Sequence, residues 1–342
     1  MSLMNVELKK RQIIWFSIIT VLIIISVGLN IIIGSVHIPF SEVYQIVLEH
    51  ETTSTKGFII WNIRISRALA AVLGGAFLSV SGLLLQVFFR NPIVGPFILG
   101  ISSGATLMVS FVMLTTITLG CTFLSPFITT LAAFAGACAT MVIVLSIATR
   151  VKSGITLLIV GLMMGYLCHA VTSVLVAFAE KEKIKGFVLW QLGSFSGIQW
   201  NEIQMMLMIG GIILLLIYGL SKPLNAFLLG EEYASSMGVN IKLFRILILL
   251  CACALAAMVT AVAGPVAFIG LAVPHMARLC FNTSNNHVLV PGSILLGAVI
   301  TSLCDFIARM ALTPVELPLS AITAFFGAPI VLSLLLKRRV SI

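Results

Sequence analysis

The stretch SKPLNAFLLGEEYASSMGVNIKLFR, residues 221–245, decides how the chain is read. It is the longest polar interruption in an otherwise mostly apolar sequence. It carries Lys222, Glu231, Glu232, Lys242 and Arg245, punctuated by Pro223, Gly230 and Gly238. The apolar runs on either side, residues 203–220 and 246–262, are each long enough to cross a bilayer, so the stretch lies outside the hydrocarbon. Between its breakers the pattern predicts two short helices, residues 224–229 and 231–237. The second opens on two acids, which suit the positive end of a helix dipole. Gly238 stands where a helix C-cap glycine belongs. Such an elbow is either offered to a partner or is a solvated connector, and spacing leaves both open.

Composition sets the environment. The chain has 342 residues, 60% hydrophobic and 9% charged, against about 25% charged in a soluble domain. With a mean hydropathy of +1.18, it cannot cover itself with a wetted surface. At about 20 residues per span, the length allows about ten membrane helices. The apolar runs do not alternate as a membrane β-barrel requires. The expected fold is therefore all-α, a single polytopic domain over residues 1–342 set in lipid. The net charge of +9 is scattered over short loops, which speaks for membrane orientation and against nucleic acid binding.

Seven cysteines (121, 138, 168, 251, 253, 280 and 304) fall in or beside apolar runs without a CxxC pair. His169 and His275 have no companion at i+4, so no metal site is expected.

Lys9, Lys10 and Arg11 precede an apolar run over residues 13–33. That run exceeds the ~7–15 residues of a signal-peptide core and leads to no small-residue cleavage site, so it reads as a retained first span. A short surface helix over residues 42–48, N-capped by Ser41, follows. Further spans are expected over residues 63–89, 100–119, 123–149, 155–179, 203–220, 246–262, 266–279, 288–311 and 318–336. A polar and aromatic segment occupies residues 180–200. In this topology thirteen of the twenty lysines and arginines lie on the side of the termini and elbow, and seven on the other. The positive-inside rule then makes the termini and elbow cytoplasmic.

The cations on the outer side are informative. Arg64 and Arg67, three residues apart, share a helix face at the outer mouth of the second span; snorkelling and a partner contact both fit them. Arg309 follows Asp305 by four residues, a spacing that pairs an intramembrane acid locally.

Several segments, in order along nearly the whole chain, carry a resemblance. They are RISRALAAVLGGAFLSVSGLLLQ (64–86), RNPIVGPFILGISSGA (90–105), WQLGSFSGIQW (190–200), LNAFLLGEEYASSMGV (224–239), GPVAFIGLAVPHMAR (264–278), DFIAR (305–309) and ELPLSAITAFFGAPIVLSLLL (316–336). Together they resemble the FecCD family, the permeases of bacterial ABC importers for iron–siderophore complexes, haem and vitamin B12. The resemblance implies a type II importer permease of the bacterial inner membrane, with two protomers forming the pore. It also implies two cytoplasmic ATPase subunits, which bind the ATP, and an external substrate-binding protein. The elbow then corresponds to the coupling helices, with Leu224, Gly230, Glu231, Glu232 and Gly238 on the family pattern. The resemblance places docking of the binding protein on Arg64, Arg67 and Arg309. The inner gate falls at the start of the fifth span, on Ser153, Gly154 and Thr156, where the sequence departs from the commonest pattern. Iron–siderophore is the first expected cargo, with haem and cobalamin next.

Two other classes are weaker. A proton-coupled secondary transporter needs embedded acids as relays, and Asp305 is the one clear candidate. A membrane enzyme needs a clustered catalytic constellation, and none is visible. The chain has no GxxxxGK[ST] phosphate loop. Purified alone in nanodiscs it is therefore expected to hydrolyse no ATP above background in a phosphate-release assay; robust turnover by the isolated chain would refute the permease reading.

Overall fold

The structure, a computed structural model, describes residues 2–115, 126–151 and 154–338. Every regular element among them is helical. We number fourteen helices in chain order. They are α1 (Ser2–Ile32), α2 (Phe40–Leu48), α3 (Thr55–Phe89), α4 (Ile101–Leu114), α5 (Pro126–Ala148), α6 (Gly154–Phe178) and α7 (Lys181–Gln191). The remainder are α8 (Trp200–Gly219), α9 (Ser221–Leu229), α10 (Glu231–Ser236), α11 (Ile241–Ala263), α12 (Ile269–Phe281), α13 (Asn286–Met310) and α14 (Leu319–Arg338). α3 and α8 each contain a π-helical segment, Ile59–Ile65 and Met206–Gly210.

Seven of the helices are long and apolar enough to cross a membrane: α1, α3, α5, α6, α8, α11 and α13. α4, α12 and α14 are shorter apolar helices. These ten correspond one for one to the ten expected spans. The first two helices start earlier than expected, at Ser2 and Thr55, and the third stops at Leu114 where 100–119 was expected, residues 116–119 lying outside the described ones. The surface helix also differs. α2 starts at Phe40 behind Pro39, and no side chain caps it, so Ser41 is its second residue and not its N-cap. Proline suits that boundary because it has no amide hydrogen to leave unpaired.

α3 is the hub. Of its most apolar window 83% is buried, against 72% for α11 and 61% for α13. It packs most extensively on α13, then on α11 and α12. Small residues permit this. A Cβ on Gly75 would run into the backbone of Gly297, and a Cβ on Gly82 into the backbone of Gly270. Backbones meet there with no side chain between them, the packing mode that glycine allows in membranes. Ser79 crosses the same seam, its hydroxyl donating to the Ser293 carbonyl at 2.7 Å. Ser81 does likewise to the Ala252 carbonyl of α11 at 2.6 Å. In the WQLGSFSGIQW segment, Phe195 is fully buried against Gly74 of α3, and Gly193 adopts φ 73° beside the Pro265 carbonyl.

Substituting leucine at Gly297 should abolish a monodisperse folded product. Overpacking costs about 1–3 kcal/mol even where side chains can shift, and here the obstacle is backbone. Gly211→Ala on α8, where a Cβ meets nothing within 4 Å, should be tolerated. Fluorescence-detected size exclusion after a heat ramp reads both.

Candidate functional site

Two polar assemblies sit at opposite ends of the bundle. One is the elbow, α9 and α10. The other gathers Arg64, Arg67 and Arg309 at the far end.

The elbow has two faces. Its inner face is welded to the spans: Leu224, Phe227 and Ala234 are fully buried. The Phe227 ring lies nearly parallel to Phe88 at the end of α3, with centroids 6.3 Å apart, and 5.5 Å from Phe244 of α11. Arg90, which closes α3 in a left-handed conformation, places its guanidinium carbon 5.6 Å from the Phe227 centroid. Asn225 binds the start of α13. Its amide donates to Asn285 Oδ1 at 2.8 Å, and its Oδ1 accepts from the Asn286 backbone N–H at 2.8 Å and side chain at 2.9 Å. Asn285 in turn caps α13 by accepting from the His287 N–H.

The outer face of the elbow is different. Leu229, Tyr233 and Met237 are 71%, 48% and 62% exposed, beyond the membrane-length helices on either side.

Gly230 separates the two elbow helices at φ 137°, a conformation closed to other residues. Gly238 ends α10 at φ 86°, its N–H donating to the Ser235 carbonyl while Val239 donates to Ala234. That is the paired bond pattern of a Schellman cap, as the glycine's position predicted. α9 begins three residues earlier than expected, at Ser221, with Pro223 absorbed in its first turn, where no intrahelical donor is needed. Neither glutamate caps α10 through its side chain, since Gly230 is the N-cap. Glu231 instead holds Arg245 of α11, which donates to its Oε1 from Nη2 at 2.6 Å and Nε at 3.0 Å. The two residues of this pair are fourteen apart across a turn, a separation that no helical spacing rule marks. The sole hint was opposite charge within one polar stretch. Glu232 is exposed.

Glu231, Glu232 and Tyr233 line one wall of a cavity of about 700 Å³. The ends of α3 and α5 and the first residues of α6, Gly154, Ile155 and Leu157, line the others. Gly154, expected in a gate, thus faces the elbow across open space. Thr156 lies in the first turn of α6, and Ser153 lies outside the described residues.

At the far end, all three arginines are turned inward. Arg64, Arg67 and Arg309 are 2%, 4% and 8% exposed. Arg67 reaches Asp305, which is fully buried, with Nε at 2.9 Å from Oδ2 and Nη2 at 3.0 Å from Oδ1. Its Nη1 takes Glu316 Oε1 at 2.7 Å. Asp305 therefore finds its forked partner on α3, and not four residues along its own helix. Arg309 donates from Nη2 to the Asn30 and Ile33 carbonyls at 2.9 and 2.8 Å. Arg64 donates from Nη1 to the Ile31 and Ile32 carbonyls, both at 2.8 Å, and from Nη2 to Val36. Asn30, Ile31 and Ile32 contribute carbonyls that α1 leaves open at its C-terminal end, where cations are favoured, and Ile33 and Val36 lie just past it. Asn30 completes the joint by donating to Ser302 of α13.

Residues 20–337 match the FecCD transport family, and the chain belongs to that family. It is similar to the vitamin B12 import system permease protein BtuC of Citrobacter koseri, at 32% identity over 97% of this chain and 96% of that protein. The BtuC protein of Salmonella typhi is 34% identical over 96% of this chain and 97% of its own length. A solved structure described as a metal-chelate type ABC transporter in an inward-facing conformation superposes with a TM-score of 0.80 at 28% identity. It covers 95% of this chain, which covers 99% of it. PsaBC from Streptococcus pneumoniae, solved with a Fab, shares the fold at a TM-score of 0.53 and 16% identity.

Removing one partner of the buried pair should be severe. Arg67→Met leaves Asp305 enclosed without its fork and should cost about 3–5 kcal/mol. Arg67→Met with Asp305→Leu replaces charge by apolar volume and should recover most of the thermal stability in detergent. Equal stability of the single variant and the native chain would show the pair to be dispensable.

Proposed function

We propose that this chain is the membrane-spanning permease of a binding-protein-dependent ABC importer that carries a metal-bearing organic chelate. The observation that carries the proposal is the two-faced elbow. Its inner face is locked into α3, α11 and α13, while Leu229, Tyr233 and Met237 stay largely exposed among the described residues, the first two at the mouth of the open cavity. An apolar patch on a polar stretch outside the spans fits a protein partner. In this reading that partner is an ATPase on the cytoplasmic side, and the termini are cytoplasmic with it. Two permease protomers and two ATPases assemble in the bacterial inner membrane, and the ATPases supply the ATP chemistry. Leu224, Gly230, Glu231, Glu232 and Gly238 form the coupling element, with Arg245 added to the set. Ser153, Gly154 and Thr156 form the gate, of which Gly154 borders the cavity.

The cargo class rests on relatives whose names specify vitamin B12, itself a cobalt chelate, and on a neighbour described as metal-chelate type. Iron–siderophore complexes and haem belong to the same chemical class. A proton relay through Asp305 loses its ground, because Arg67 holds that carboxylate in a fork.

For the far-end arginines we propose an indirect part in docking an external binding protein. Their guanidinium groups are engaged inside the protein, so they hold the rim that the binding protein meets. The Arg67→Met, Asp305→Leu double variant separates the alternatives. Docking survives in it if the rim matters and fails if Arg67 itself meets the binding protein.

Leu229→Asp and Met237→Asp test the central claim. Each should weaken co-purification of the partner ATPase by roughly tenfold or more, as loss of an interface anchor does. The amount of chain in the membrane should not change. Undiminished co-purification from both variants would make the elbow an ordinary connector.

A further inference from the structure

α2 lies between the first two spans and has more apolar surface than its packing uses. Val43 and Ile46 are buried in a small cluster with Ile60 and Ile65 of α3. Phe40, Tyr44 and Leu48, at i, i+4 and i+8, form a second apolar stripe, 65%, 58% and 65% exposed, with Val47 beside it. Ser41, Gln45 and the C-cap residue Glu49 form a third face, polar and exposed. At 3.6 residues per turn the three faces stand roughly 120° apart. A helix packed on a protein and otherwise in water needs one apolar stripe, and α2 has two.

The surroundings fix the level at which α2 lies. Trp61 of α3 and Trp200 of α8 pack against the same cluster, their ring centroids 6.4 Å apart, at the ends of those helices remote from the elbow. The Trp61 indole N–H donates to the Ile46 carbonyl of α2 at 3.4 Å. Tryptophan and tyrosine collect where hydrocarbon meets headgroups, so α2 lies at that boundary and not out in the water. Exposed apolar residues flank it in the chain, Ile33 and Val36 ahead and Phe58 behind. The second stripe thus continues the apolar surface at the ends of α1 and α3. Residues 40–54 hold Glu42, Glu49 and Glu51 and no lysine or arginine, and Glu42 is paired with Lys56 at 2.6 Å. Attraction to anionic headgroups is therefore not on offer, and apolar insertion has to hold the helix.

We propose that α2 is an interfacial membrane anchor, whose Phe40–Tyr44–Leu48 stripe inserts at the boundary of headgroups and acyl chains at the end of the bundle remote from the elbow. Ser41, Gln45 and Glu49 face the water. α2 sits on the π-helical segment Ile59–Ile65, which carries Arg64, and Arg64 takes the Val36 carbonyl just ahead of α2. The bilayer surface therefore braces the joint between α1 and α3. This inference rests on the chain spanning a membrane and not on its cargo or partners.

The test uses the full-length chain in nanodiscs of zwitterionic lipid and a quaternary-ammonium methanethiosulfonate, which reacts from water. Tyr44→Cys and Leu48→Cys place thiols on the stripe, and Gln45→Cys places one on the polar face; all three positions are exposed, so the fold is spared. The native chain sets the background of its own thiols. Labelling at 45 should be about tenfold or more faster than at 44 and 48, because the thiolate that reacts forms in water and not in hydrocarbon. A membrane-soluble maleimide should reach all three. Equal labelling of 44, 45 and 48 by the charged reagent would overturn the proposal, since the stripe would then stand in water, open to a protein partner. Slow reaction of 44 and 48 with both reagents, or oxidant-linked dimers through 48, would overturn it in favour of a second copy of the chain.

Discussion

The fully enclosed carboxylate of Asp305 is the constraint on which the far end of the molecule depends. A charge removed from water has to be matched within the protein, and the match must be geometrically good to offset its desolvation. Arg67 supplies it with a fork, the arrangement for which a planar guanidinium is suited and an ammonium is not. The pair joins α3 to α13 at the end of the same seam where Gly75 and Gly297 bring their backbones together. Arg64 and Arg309 extend the joint to α1 by taking its last carbonyls. Three helices distant in sequence are thus fixed at one point by groups that would each be costly if left alone.

The other end works by the opposite arrangement. The elbow is anchored through apolar rings and one asparagine, while Glu231 and Arg245 fasten α10 to α11 by a half-exposed pair. A pair of that exposure contributes little stability, typically 0–1 kcal/mol, but it sets direction. α10 therefore follows α11, and α9 follows α3 and α13. A partner pressing on Leu229, Tyr233 or Met237 presses on the buried core of the chain, not on a free loop.

Much of this architecture was legible in the sequence. Ten apolar runs map onto ten helices because exclusion from water leaves few alternatives to a helix in hydrocarbon. Gly230 and Gly238 were legible as breaks because their backbone angles demand glycine. The ends of elements were less so. α2 begins behind Pro39 and not at Ser41, and the third span ends short at Leu114. Tertiary partners were least legible. Arg309 sits one helical turn from Asp305, so local spacing suggests a pair. The open carbonyls of α1 and the fork of Arg67 compete for those groups from helices hundreds of residues away. The same blindness made outward-facing cations of Arg64 and Arg67. Charge bias along a sequence reports which end a residue occupies, and not whether its guanidinium faces water.

The distribution of burial also says where a permease of this build can move. α3 meets α13 through backbone-to-backbone contact and α11 through a hydrogen bond across the seam, and most of the apolar windows of all three are inside the chain. Interfaces packed to that density do not deform continuously. α5, α6 and α8 keep 33%, 17% and 22% of their windows buried, and the ends of α5 and α6 border the open cavity at the elbow. Segments with few buried contacts are the ones that change arrangement at low cost. In the proposed importer, displacement of α10 toward α6 narrows that cavity, since open space separates them in this conformation. The rigid seam holds the frame, the cavity is the stroke, and α6 is the part left free to respond.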